Sequence, residues 1–184
     1  MRLEDRADKA RFEAVALPHL DAAYNLARWL TRDDHAAEDV VQEAYLRALR
    51  FFGSFRGGDG KAWILAIVRN ACFDWLKLRR TEDLHNPFEE DIHSPDVNDP
   101  AQAGEMAGNP ETSAIRSAAA ERIGDAVESL PAEYREALVL RELEGLSYKE
   151  IASIAEVPIG TVMSRLARAR KQLRKQLHLE REES

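Results

Sequence analysis

Apolar positions along this chain recur at three- and four-residue steps, and no stretch alternates as a half-buried strand would. A helix is expected near Arg11–Thr31, carrying Phe12, Val15, Leu20, Tyr24, Leu26 and Leu30. Asp33 and Asp34 supply N-cap chemistry for a second helix over about His35–Phe51. Its inward stripe is Ala37, Val40, Val41, Ala44 and Ala48, and its outer stripe is Asp39, Gln42, Glu43 and Arg47. A glycine-rich break from Gly53 to Gly60 precedes a third helix, from about Lys61 to Arg80. Helical stepping resumes after Ala118 at Ile123, Val127 and Leu130. Pro131 suits the first turn of the following helix, and Gly145 can close it. The pattern predicts an all-α protein: a helical bundle over 10–80, a linker over 81–118 and a helix-turn-helix domain over 119–178.

The stretch from Ser147 to Lys175 is the most informative. Ser147 and Glu150 match a capping box, in which hydroxyl and carboxylate satisfy each other's backbone amides. Ile151, Ala152 and Ile154 pack inward, and Pro158 punctuates because it disfavours a helical Val157. A second helix then sets Val162, Leu166, Ala169 and Leu173 on one face. Thr161, Ser164, Arg165 and Arg168 share the outer face, which suits a major groove. Lys171, Arg174 and Lys175 lie further along, where backbone phosphates would pass. Six basic residues and no acid fall between Ile159 and Lys175. A solvated charged helix is the plain alternative to DNA contact.

Charge changes the picture because the whole chain is acidic, with a net charge of -7. Residues 1–80 carry +2, residues 81–118 carry -8 and residues 119–184 carry -1. The acidity belongs to the middle segment, which holds Pro87, Pro95, Pro100 and Pro110 and few large apolar residues. Such a segment does not bury enough surface to offset its ordering entropy, so a disordered linker is expected. Its charge suits either a nucleic-acid mimic or a soluble tether. The single cysteine, Cys72, lies in an apolar run and is expected to be a buried thiol. Histidines are scattered, so no metal site and no cofactor is expected. The N-terminal residues are charged, and no stretch is long enough to span a bilayer, which points to a soluble cytoplasmic protein.

Three blocks carry a resemblance: AAEDVVQEAYLRAL (36–49), SFRGGDGKAWILAIVRNACFDWLKLRR (54–80) and LPAEYREALVLRELEGLSYKEIASIAEVPIGTVMSRLARAR (130–170). In order and spacing they resemble the extracytoplasmic-function (ECF) sigma factors of the sigma-70 family. The resemblance implies a non-catalytic initiation factor that lends promoter specificity to core RNA polymerase. It implies that Asp39, Gln42, Glu43 and Arg47 dock on the clamp helices of the largest subunit, with the flap region as a second contact. It further implies that the second block captures the melted minus-ten element. There Phe55 and Trp63 offer π-faces, Arg56, Lys61 and Arg69 neutralise phosphate, and Asn70 bonds a flipped base edge. Phe55 and Trp63 could equally be core residues. The last block resembles the minus-thirty-five reader, with Thr161, Ser164, Arg165, Arg168 and Lys171 facing DNA. Glu156 stands at a turn position where glycine is common, so a positive φ there would carry a cost.

The resemblance also implies restraint by an anti-sigma factor. The competing function is a stand-alone helix-turn-helix regulator, which would normally dimerise on two half-sites. No dimerisation coil is evident, so no homo-oligomer is expected. An enzyme is least expected, because no phosphate-cradling loop, nucleophile motif or metal cluster is visible.

Overall fold

A computed structural model describes residues 3–85 and 110–182, with side chains described over 8–82 and 118–177. Helices are the only regular elements among the described residues, and they form two domains. Most of the expected linker lies outside the described residues. Its two ends are helical: α4 (Gly60–His85) runs past residue 80, and α5 (Pro110–Glu128) begins before residue 118. No helix is long and apolar enough to cross a membrane among the described residues.

The single helix expected over Arg11–Thr31 is two. α1 (Leu3–Ala16) ends at a 3-10 turn, Leu17–His19, and α2 (Leu20–Thr31) follows. Pro18 is the cause, since it has no amide to donate and crowds the preceding turn. Arg32 closes α2 in the left-handed region, at φ 62°. The Asp33 side chain then accepts from the Ala36 amide at 2.9 Å and caps α3 (Asp34–Arg50). Asp34 does not share the cap; it pairs with Arg28.

α2, α3 and α4 pack together around Leu26, Leu30, Val40, Val41, Leu65 and Val68, all buried. Each fully buried leucine or isoleucine here contributes roughly 1.5–3 kcal/mol by leaving water. A second cluster of Phe12, Ala16, Ala48, Phe52 and Ile64 fixes α1 to this bundle. Gly60 opens α4 where a Cβ would stand 2.8 Å from Val15 Cγ1 and 3.0 Å from the Val15 carbonyl oxygen. The start of α4 therefore needs glycine for close approach to α1.

In the second domain, α6 (Ala132–Leu138) follows Pro131 and widens into a π-helical stretch over Val139–Leu143. Gly145, at φ 68°, turns the chain back, and Arg141 braces that turn by donating to the Leu146 carbonyl at 2.8 Å. α7 (Tyr148–Ala155) carries the expected capping box: the Ser147 amide donates to Glu150 Oε2 at 2.7 Å, and the Glu150 amide to Ser147 Oγ at 3.2 Å. Hydrogen bonding to Ser147, from its side chain first and its backbone amide second, holds the Glu150 carboxyl below its ordinary range. Glu156 ends α7 at φ 54°, the positive value foreseen from the sequence. α8 (Ile159–Glu182) crosses α6 and α7 and buries Val162, Leu166 and Ala169.

The core cluster does not stop at either domain. It runs from Leu65, Val68 and Cys72 on α4 into Leu138, Ile151 and Ile154. α4 lies against α7, and α2 against α6.

Candidate nucleic-acid interface

On the N-terminal domain, a short 3-10 turn, Phe52–Ser54, aims an aromatic group toward the start of α4. Phe55 and Trp63 lie 4.9 Å apart between ring centroids, and Phe52 stacks on Phe55 at 5.7 Å. The two readings of Phe55 and Trp63, core or exposed platform, both apply in part. Each packs on the Phe12–Phe52 cluster and each remains half-buried. They line a cleft of about 410 Å³ together with Arg56, Gly57 and Asp59. Aromatic rings packed on a core are suited to stacking. Gly57 and Gly58 both have positive φ, at 89° and 107°, and let the chain turn tightly beside Arg56.

The other expected strand contacts are engaged inside the protein. Lys61 Nζ is 2.9 Å from Glu144 Oε2 and donates to the Glu144 carbonyl at 3.0 Å. Arg69 Nε donates to Glu136 Oε1 at 2.6 Å, and its Nη1 donates to Asn70 Oδ1 at 3.0 Å. The Arg69 guanidinium also lies over the Phe73 ring, 4.3 Å from the centroid. Asn70 is thereby held beside Arg69, while Arg56 is exposed.

On the C-terminal domain, Thr161 is half-buried and Ser164, Arg168 and Lys171 are exposed along α8. Ser164 donates back to the Thr161 carbonyl at 2.9 Å. Arg168 Nη1 donates to the Tyr134 hydroxyl at 3.3 Å. Arg165 turns inward, with Nη1 3.5 Å from Glu136 Oε2. Met163 and Ile159 are exposed beside this face.

Glu136 is the residue that sequence reading missed. It is 0% exposed and receives one arginine from each domain. Burial pushes its carboxyl above the ordinary range, and the Arg69 hydrogen bond offsets part of that rise. A signal was present: Glu136 precedes Val139 and Leu140 by three and four residues, so it occupies the apolar stripe of its helix. An acid there must find a cation or lose its charge.

On α3, Asp39, Gln42 and Glu43 are exposed. Arg47 pairs with Glu43 at 2.7 Å and with Asp74 of α4 at 3.5 Å. The same face exposes Leu46 and Leu49, at 51% and 40%, with Phe51 following at 63%. The polar stripe of Asp39, Gln42, Glu43 and Arg47 thus has apolar neighbours that the sequence pattern alone does not single out. Their exposure while α3 buries its opposite face is the feature that marks this surface.

A helical bundle with an aromatic cleft, joined to a capped helix-turn-helix, defines an all-helical protein of two regions. The family model described as Sigma-70 region 2 matches residues 16–82, and that described as Sigma-70, region 4 matches residues 120–173. The chain is 33% identical to the RNA polymerase sigma-H factor of Pseudomonas aeruginosa, over 94% of this chain and 89% of that protein. It is 34% identical to the ECF RNA polymerase sigma factor SigE of Mycolicibacterium smegmatis, over 92% of this chain but 63% of that longer protein. Among solved structures, the sigma factor RpoE of Bartonella quintana, in complex with the anti-sigma factor NepR, superposes with a TM-score of 0.70. It is 30% identical and covers 88% of this chain and 93% of that one. The chain belongs to the ECF sigma factors of the sigma-70 family, which are initiation factors and not catalysts.

Proposed function

We propose that the protein binds core RNA polymerase and directs it to a specific set of promoters. Residues 10–80 form the polymerase-binding and minus-ten domain, residues 81–118 the linker, and residues 119–178 the minus-thirty-five domain. The observation that carries this reading is the presence of both sigma regions in one chain, each with a surface suited to its task. The exposed face of α3, with Asp39, Gln42, Glu43, Arg47 and the adjoining Leu46 and Leu49, takes the clamp helices of the largest subunit, and the flap region takes the C-terminal domain. Apolar residues inside a polar rim fit a protein contact better than a solvent face. Phe55 and Trp63 stack bases of the melted minus-ten strand, with Arg56, Lys61 and Arg69 on phosphates and Asn70 on a base edge. Stacking of this kind contributes on the order of 1–3 kcal/mol per base. Thr161, Ser164, Arg165, Arg168 and Lys171 read the upstream element through the major groove and its phosphates.

The likeness to RpoE in complex with NepR supports restraint of this chain by an anti-sigma factor. A cytoplasmic location follows from work on chromosomal promoters. Run-off transcription with purified core polymerase on a promoter library tests the function. Specific transcripts that require the added protein are the expected result. Binding to duplex DNA with no specific transcript would instead identify a stand-alone regulator.

A further inference from the structure

Two exposed arginines flank the aromatic group of the N-terminal domain. Arg56 adjoins Phe55 and lines the cleft. Arg11, on α1, lies over the Phe52 ring, with its guanidinium carbon 5.5 Å from the centroid. The rings run on from there: Phe52 stacks on Phe55 at 5.7 Å, and Phe55 lies 4.9 Å from Trp63. Lys61 and Arg69, by contrast, are engaged by Glu144 and Glu136. Arg11 is exposed and forms no ion pair among the described residues.

A second observation is that Arg11 stands on a fixed base. Its neighbour Phe12 is buried and meets the same Phe52 ring edge-on, at 5.5 Å. Ala16, further along α1, is fully buried, and Val15 faces the glycine that opens α4. α1 is therefore held against the aromatic group along its length. A guanidinium packs on a ring through its planar face, which leaves the N–H donors around its edge for an anion. Phe55 and Arg11 are separated by contacts of 5.7 Å and 5.5 Å, no more than about three nucleotides of strand at about 3.4 Å per step.

We propose that Arg11 is a further strand contact, binding a backbone phosphate of the melted minus-ten strand within about three nucleotides of the base that stacks on Phe55 and Trp63. The rings take bases, and the α1 cation fixes the backbone beside them. DNA binding thereby extends from the Phe55–Asn70 region onto α1. Arg11 lies outside the three motif blocks and outside residues 16–82, which the region 2 family model matches. This rests on the proposed role of Phe55 and Trp63 in stacking bases.

The test uses holoenzyme and a forked DNA probe. The probe's duplex end is the upstream part of a promoter recovered by run-off transcription, and its overhang is the single-stranded minus-ten element. Arg11→Gln is expected to weaken binding about fivefold and to reduce the slope of log affinity against log salt by about 0.7, the value for one phosphate on a single strand. Arg11→Lys keeps the charge and is expected to restore the slope. Neutral methylphosphonate linkages, placed one at a time along the overhang, locate the contact. One linkage within about three nucleotides of the stacked base should weaken wild-type binding by the same factor and leave Arg11→Gln unaffected. The stacked base is the position at which an abasic site weakens wild type but not Trp63→Ala.

Three results would overturn the proposal. Equal affinity and equal salt slope in Arg11→Gln and wild type would leave Arg11 with no strand role. A loss in Arg11→Gln that no single methylphosphonate reproduces would make Arg11 a support for Phe52 and not a phosphate contact. An equal loss of core polymerase binding would assign the cation to an acidic protein surface. Failure of the stacking assignment itself has a separate signature. Holoenzyme carrying Phe55→Ala/Trp63→Ala would then bind the forked probe as tightly as wild type does.

Discussion

Arg69 Nε lies 2.6 Å from Glu136 Oε1 across the domain boundary, with the carboxylate fully buried and the guanidinium 17% exposed. A charge-assisted hydrogen bond of this kind typically contributes about 1.5–3 kcal/mol. A double-mutant cycle with Arg69→Met and Glu136→Gln, read by urea unfolding, should show a coupling of that order. A coupling under about 0.5 kcal/mol would mean that the pair only offsets its own desolvation.

Gly60 has no room for a methyl group between α4 and Val15. Gly60→Ala should destabilise the N-terminal domain by about 1–3 kcal/mol, the usual cost of overpacking a filled site. The limiting contact is partly backbone, which does not rotate away. A melting temperature equal to that of wild type would show that α1 shifts freely, contrary to its packing in the Phe12–Phe52 cluster.

Glu156 holds φ at 54° without being glycine. Left-handed backbone costs a residue with a Cβ roughly 1–2 kcal/mol, and glycine gives back part of that gain as unfolded-state entropy. Glu156→Gly should therefore stabilise the C-terminal domain by about 0.5–1 kcal/mol. Its melting temperature, compared with that of wild type under the same buffer, decides the matter; a fall would indicate a side-chain role for Glu156.

Cys72 is pushed up from 9.0 to about 12 by burial. A buried thiol that resists ionisation leaves stability untouched below pH 9. Above that the unfolded chain loses its proton first, so stability falls as pH rises toward 12. The slope assignable to this group approaches about 1.4 kcal/mol per pH unit. Urea unfolding of wild type and Cys72→Ala between pH 8 and pH 11 should show a shallower decline in the variant. Identical slopes would place the thiol in contact with water.

Arg168 is exposed on α8 and donates to the Tyr134 hydroxyl within its own domain. Arg168→Ala should weaken upstream-element binding by about 1–3 kcal/mol if it reads a base. It should instead lower the salt dependence by about one ion if it meets a phosphate. Core polymerase binding should be unaffected in either case, as followed by fluorescence anisotropy.

Local chemistry was legible wherever a residue's role depends on its near neighbours. The Ser147–Glu150 capping box, the Asp33 cap and the buried stripe from Ala37 to Ala48 were each visible as short-range patterns. The break at Leu17–His19 was also local, and Pro18 was its signal; helical stepping on both sides concealed it. The fate of Lys61, Arg69 and Arg165 was not legible, because each is paired with an acid 29 to 83 residues away in the chain. No period or spacing within a helix encodes such a partner.

The sequence by itself determined the all-helical class, most of the helices, the Asp33 and Ser147 caps and the family, since these follow from repeat spacing, local hydrogen bonding and the order of three motif blocks. Only the tertiary structure decided that the cations expected to meet DNA are already matched by Glu136 and Glu144, and that α7 closes the aromatic cleft. The physical reason is burial. Lys61 and Arg69 carry the same charge in any conformation, but whether that charge faces solvent, a strand or a carboxylate depends on which surface packs against α4.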